Sequence, residues 1–344
     1  MATIEGADQG ETNRAQKPHR PLGQAIGAVT IIAIVQVLLV LMFGWSASRA
    51  TPHNLPIAVA GPAQATTAVV AGLDHAKPGA FKWLRLADDA AARSAVASRN
   101  AYAALSFTAA GPVLYTAPAA SPAVAAMLTQ LFPVAVTQAA PGTTVKVVAL
   151  VGNPANDPNG SGIPVSLIPI TITSIAAGAI LGLLFKLRRR RILGLIGYAL
   201  VAGALTTYAL HQGLGIISGT WWHDGAVISL ACLAISGAIA GLSSLLGPPG
   251  IGLGVLVVFF FGFPFSGATS AWEFVPTPWG RIAQYLPVGA LNTTLRSESF
   301  FAAAGANAGL TVLGVWAGAG LLLAVIRGSR TGARSRAPRH SAAA

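Results

Sequence analysis

The sequence predicts an α-helical polytopic membrane protein with six transmembrane helices and a small extracytoplasmic α/β domain inserted between helices one and two. Three observations carry that reading. The 344-residue chain is 53% hydrophobic and only 9% charged, with a mean hydropathy of +0.64, whereas soluble domains carry about 25% charged residues. Residues 168–185 are almost wholly apolar (IPITITSIAAGAILGLLF) and run into Lys186, Arg188, Arg189, Arg190 and Arg191. About 18 residues at ~1.5 Å rise cover most of a ~30 Å hydrocarbon core. Residues 55–151 instead alternate strand-like and helix-like patterns, which indicates an α/β layer structure.

Residues 1–22 read as a cytoplasmic tail and 23–45 as the first span, ending in Trp45. Further spans are expected within 166–326, at 167–185, 192–210, 226–246, 250–265 and 308–326. Pro248, Pro249 and Pro264 bound the fifth of the six. Residues 327–344 form a second, basic cytoplasmic tail. Arg14, Lys17 and Arg20 place the N-terminus inside, and alternate counting then puts 186–191 and Arg327, Arg330, Arg334, Arg336 and Arg339 inside too. The three charge clusters agree on one topology in the cell (inner) membrane, with both termini cytoplasmic. Trp45, Trp221, Trp222, Trp272 and Trp279 fall at the outer interface, where an amphipathic ring is favoured. The net charge of +12 is concentrated beside spans, so it reads as an orientation signal and a contact with anionic membrane lipids, with no nucleic acid as partner. The first run resembles a signal peptide in its basic flank. Its apolar stretch exceeds the ~7–15 residues of a cleaved signal, so an uncleaved anchor is expected.

Pairs of small residues four apart recur at Gly178/Gly182, Gly237/Gly241, Gly250/Gly254 and Gly314/Gly318. They read as helix-packing sites, because small residues let backbones approach closely in lipid. In the domain at 46–165, strands are expected at 55–60, 81–86, 102–108, 112–116 and 144–151, with helices at 65–73, 88–99 and 121–132. Asp88 and Asp89 open one helix as cap and dipole partner, and Ser121 with Pro122 opens another. Residues 152–164 (GNPANDPNGSGIP) are a turn-rich linker back to the membrane.

Chemistry is sparse. No GxxxxGK[ST] phosphate loop occurs, nor any Gly-Lys pair, so this polypeptide does not bind ATP in the phosphate-loop manner. The span interiors hold no Asp, Glu, Lys or Arg, whereas ion-coupled carriers keep such groups near the midplane. Cys232 is the only cysteine, which rules out an intrachain disulfide or a thiolate metal site. No cofactor, metal or catalytic set is expected, and the chain reads as a non-enzyme. His211, His223 and Asp224, with Ser218 between them, are the nearest approach to an intramembrane active site. No nucleophile motif surrounds them, so interfacial capping is the simpler reading.

Residues 266–305 form a polar outer segment before the last span. Trp279, Ile282, Ala283 and Leu286 make a helical stripe, with Arg281 and Gln284 turned away. Pro287 breaks that helix and a second begins. A broken pair of this kind either re-enters the bundle as an outer gate, built on Pro276, Trp279, Arg281, Pro287 and Arg296, or lies on the leaflet without gating.

Three stretches, LPIAVAGP (55–62), DDAAARSAVASRNAYAALSF (88–107) and FPFSGATSAWEFVPTPWGRIAQYLPVGALNTTLRS (263–297), resemble the type-2 ABC transporter permease family. The likeness is to its branch with a large extracytoplasmic domain between spans one and two, which includes the phage-infection-protein-like members. In the last stretch Ser266-Gly267, Pro276, Leu286-Pro287 and Leu295-Arg296 fall in the family's order. The resemblance implies the permease subunit of an exporter. It would work as a homo- or heterodimer, move a hydrophobic or amphipathic substrate outward, and draw power from a separate ATP-binding cassette ATPase. It also implies that Lys186 and Arg188–Arg191 face that ATPase, although the loop there is short for the family's coupling helix. The competing expectation is a non-transporting membrane-anchored receptor or scaffold that uses the outer α/β domain.

Overall fold

The computed structural model describes residues 22–185 and 187–325. The basic residues Arg14, Lys17 and Arg20, Lys186, and the C-terminal arginines lie outside the described residues. The chain divides into two units at Gly44/Trp45. The first holds most of α1 (Leu22–Ser48), which exposes Ile26, Val29, Ile31, Ile32 and Ile34. A helix apolar all round is suited to lipid, not to water.

In the second unit, β1 (Leu55–Ala60), α2 (Ala63–Ala76), β2 (Phe81–Leu86), α3 (Asp89–Ala97), β3 (Ala103–Thr108), β4 (Gly111–Thr116), α4 (Pro122–Ala139) and β5 (Lys146–Ala149) form the α/β domain. The sheet order is β2-β1-β3-β4-β5, parallel except for the β3–β4 hairpin. Strand alternation sorts the core into two layers. Leu55, Ile57 and Val59 meet α2 and α4 on one face, while Ala58 and Ala60 meet Ala92, Ala95 and Val96 of α3 on the other. The helix caps form as the sequence indicates. Asp88 accepts from the Ala91 amide at 2.8 Å and Ser121 from the Val124 amide at 3.3 Å.

The helical part comprises α5 (Gly162–Leu184), α6 (Arg188–Tyr208), α7 (Trp221–Leu246), α8 (Pro248–Val255), α9 (Trp279–Ala283), α10 (Pro287–Phe300) and α11 (Ala306–Val325). Among the described residues six helices are long and apolar enough to cross a membrane. Their membership differs from the expected set. One is α4, whose Val124, Leu128, Phe132 and Val136 cover the sheet; its apolarity serves the domain core. The expected span at 250–265 is instead α8 followed by π-helical turns over Leu256–Phe261, a shorter apolar helix. The Gly262 amide bonds to the Val257 carbonyl, five residues back. Pro264, which has no amide hydrogen, cannot extend the ladder.

Helix α7 is the centre, with 67% of its most apolar window buried against 22–28% for α5, α6 and α11. Gly178 and Gly182 of α5 press on Ser236, Ile239, Ala240 and Ser243 of α7. A Cβ on Gly178 would lie 2.8 Å from that of Ile239. Gly250 and Gly254 of α8 pack on Leu242 and Ile239. Gly237 and Gly241 face α11, but through Gly320. Gly314 and Gly318 meet nothing within 4 Å, so they are not packing sites in this unit. The face of α11 turned inward runs through Leu313, Ala317, Gly320 and Ala324, at helical spacing.

The basic loop and the sheet lie at opposite ends of this bundle. At one end Arg191 donates to the Phe185 and Ala324 carbonyls and to the Ser244 hydroxyl, drawing together α5, α6, α7 and α11. At the other, the Asp157 carboxylate accepts from the Ser161 and Gly162 amides where the linker enters α5.

Candidate functional site

The segment between α8 and α11 is gripped by the sheet domain from both faces. Ala271 and Phe274 join the core under α2 and α4, while Phe301 joins the core under α3. Between them lies a polar cluster of half-buried Arg99 and Tyr102 with buried Glu273 and Arg296.

Arg99 reaches this cluster through local backbone geometry. It follows the C-cap of α3 at φ 58°, the left-handed region. The Asn100 amide bonds to the Ala95 carbonyl and the Arg99 amide to that of Val96, the paired bonds of a Schellman ending that glycine usually makes. An arginine there aims its guanidinium at α10, where it donates to the Thr293 carbonyl at 2.8 Å and to the Ser297 hydroxyl, and it lies over the Phe301 ring. Arg296, 3% exposed, donates to the Ala119 carbonyl at 2.9 Å and, at longer range, to Asn292 Oδ1 and the Ala268 carbonyl. The Tyr102 hydroxyl donates to Glu273 Oε2 at 2.8 Å.

Burial sets the electrostatics of the cluster. It pushes the Glu273 carboxyl up to about 7, opposed by hydrogen bonds to the backbone and Tyr102 and by the charge of Arg99. It also brings Arg296 down to about 10, with the like charge of Arg99 adding to the effect. Burial and the nearby Glu273 hold the Tyr102 phenol well above its ordinary value.

The five residues expected to form an outer gate lie in the turn before α9, on α9 and on α10. Pro287 starts α10 at its first turn. Trp279 stacks on Phe265 and Phe261, at 5.3 and 6.2 Å between ring centres. Pro276 accepts the Trp279 amide through its carbonyl. Arg296 is a buried tie to the sheet domain, and Arg281 alone is exposed. The stripe is also rotated from expectation. Ile282 is 45% exposed, and Gln284 is not turned away: it donates to the Ser266 carbonyl and accepts from Thr293. Helix α9 is only five residues long, so contacts with 266–274 decide its orientation, not the periodicity of its own side chains.

At the opposite end Arg188, Arg189 and Arg190 are exposed on the first turn of α6, while Arg191 is turned into the bundle. Only residues 185–187 separate α5 from α6. His211 Nε2 and the Ser299 hydroxyl both contact the Asp224 carboxylate, at 3.1 and 2.8 Å. Ser218 donates to the Ser299 carbonyl at 3.4 Å, not to an imidazole. Among the described residues no serine–histidine contact of the kind that activates a nucleophile occurs in this group, and the Asp224 carboxylate, in the first turn of α7, bonds to His211 and Ser299 and not to a helix amide. His223 Nδ1 lies 3.7 Å from Glu298. No group of three potential metal ligands occurs among the described residues.

Sequence reasoning missed Arg99, Tyr102 and Glu273. A signal existed for Glu273, the only acidic residue between 225 and 297. A lone acid in so apolar a stretch requires a partner. Nothing local marks Arg99 or Tyr102, whose partners lie at least 171 residues away.

Two cavities adjoin the segment. One of ≈ 170 Å³ is lined by His53, Asn54, Glu273, Pro278 and Arg281, among others. Another of ≈ 360 Å³ is lined by Tyr285, Ala290, Ala308, Gly309 and Val312, among others. Trp272 and Arg281 border both. A separate apolar groove of ≈ 460 Å³ runs between α6 and α7 beside Leu200, Trp221 and Leu233. No family profile, curated protein or solved structure matches the chain.

Proposed function

We propose that this chain is the permease subunit of an exporter of the type-2 ABC kind. It would pair as a homo- or heterodimer, take power from a separate ATP-binding cassette ATPase, and move a hydrophobic or amphipathic substrate outward across the cell membrane. In this reading the sheet domain lies outside and Arg188, Arg189 and Arg190 lie inside with both termini.

The observation that carries the proposal is the interrupted stretch from α8 to α10. The chain leaves the short helix α8 through π-helical turns, makes two short helices, α9 and α10, and only then enters α11. Irregular backbone at membrane depth is tolerated where it is buried in protein or borders a cavity, and here it does both. A bundle serving only as an anchor gains nothing from such an interruption. The absence of a phosphate loop from the sequence assigns ATP hydrolysis to another chain.

Purification in mild detergent after crosslinking should recover a chain bearing a phosphate loop, and reconstituted vesicles should show ATP-dependent efflux of an amphipathic dye. Recovery of the protein without any ATP-hydrolysing chain overturns the reading. One observation favours a membrane-anchored scaffold instead: the three residues between α5 and α6 leave no room for a coupling helix. Under that alternative, residues 46–165 would capture an envelope component and efflux would not depend on this chain.

A further inference from the structure

Arg281 is exposed and has no ion pair among the described residues. It borders two cavities, the larger of which reaches α11. The smaller one is lined by His53 and Asn54, with Glu273 and Thr277. In the larger one, Ala308 and Val312 of α11, an apolar span, provide a floor with no charged group. Trp272 and Tyr285 add amphipathic rings at the boundary, the side chains favoured where headgroup meets hydrocarbon.

We infer that the two cavities form a single binding site for one anionic membrane lipid. Its headgroup would lie between Arg281 and His53 and an acyl chain along α11 beside Ala308 and Val312. Charge decides the headgroup. Arg281 pairs with a phosphate, and a head of net negative charge is favoured over a zwitterionic one, whose own ammonium would be brought beside the guanidinium. Glu273, on the wall of the same chamber, is pushed up to about 7 by burial and is engaged by Tyr102, so it carries only about half its charge at neutral pH. The larger cavity, ≈ 360 Å³, falls within the ~300–1,000 Å³ of small-molecule sites. The plainer alternative is an arginine that snorkels to bulk headgroups, which needs neither the second cavity nor His53. The site does not depend on the export reading, since a scaffold could hold the same lipid.

The full-length protein, purified in detergent, would be mixed with phosphatidylglycerol or phosphatidylcholine of the same chains and examined by native mass spectrometry. The wild type should retain a single phosphatidylglycerol in preference to phosphatidylcholine. Arg281→Gln should weaken that retention by about tenfold or more, Arg281→Lys should keep most of it, and Ala308→Phe, which fills the floor, should abolish it. Equal retention by the wild type and Arg281→Gln overturns the proposal. So does equal retention of the two lipids, or displacement of the lipid by glycerol 3-phosphate at comparable concentration, which would mark a soluble-anion site.

Discussion

At the scale of single residues, the junction between the sheet domain and the broken helices rests on groups whose buried position is costly by itself. Arg99 adopts a left-handed conformation that disfavours any side chain by about 1–2 kcal/mol, and it is compensated by its bonds to α10. Arg99→Ala and Arg99→Gly both lose those bonds, but only glycine relieves the backbone. The glycine variant should therefore be more stable than the alanine variant by about 1 kcal/mol in chemical denaturation; equal stabilities would show that the backbone is unstrained. Glu273 gives a pH signature. Burial raises its carboxyl from 4.5 to about 7, so the folded protein binds that proton more tightly than the unfolded chain. The favourable contribution is complete below the unfolded value. It is lost as pH rises through the folded one, by on the order of 3 kcal/mol. Melting temperature should fall between about pH 5 and pH 8, and Glu273→Gln should flatten that slope. An unchanged slope in the variant would assign the effect to another group.

At the scale of elements, α7 organises the bundle because small residues on three neighbours let their backbones reach it. Gly178 and Gly320 lie directly on the backbone of α7, where an added Cβ would overlap a backbone atom, and Gly314 and Gly318 have open space around them. Gly178→Leu and Gly320→Leu should each sharply lower the yield of folded protein on size-exclusion chromatography in detergent. Gly314→Leu and Gly318→Leu should elute like the wild type. Aggregation of the second pair would mean that a partner, such as another copy, covers that face. The helix at 122–139 teaches a related point. Its apolarity is high enough for a span, yet its Leu128 and Phe132 are consumed by a sheet. Mean hydropathy reports how much apolar surface a helix carries and is silent on whether lipid or protein covers it.

At the scale of the whole molecule, the bundle has a basic end and a sheet end, and the proposed orientation follows from the preference of Arg and Lys for the cytoplasmic side. With Cys232→Ser as background, single cysteines replacing Lys82 in β2 and Arg189 at the start of α6 make that orientation measurable. An impermeant maleimide added to intact cells should label the Lys82→Cys protein and spare Arg189→Cys until the membrane is opened. The reverse pattern would invert the topology and, with it, the direction of any transport. The sheet domain is tied to the segment between α8 and α11 through Arg99, Arg296 and Glu273, so whatever the domain binds can act on those helices directly.

The sequence by itself determined the elements whose cause is local. The strands at 55–60 and 81–86 follow from alternation, the caps at Asp88 and Ser121 from side chains that satisfy nearby amides, and the long apolar helices from length and composition. It also contains no GxxxxGK[ST] phosphate loop. Only the tertiary structure decided which glycines touch, that Arg296 bonds to the Ala119 carbonyl of the sheet domain, and that Arg281 stands between two cavities. Each of these depends on contacts between residues far apart in the chain, such as Arg296 with Ala119 or Gly241 with Gly320. Periodicity records which face of an element is apolar, but not what that face meets.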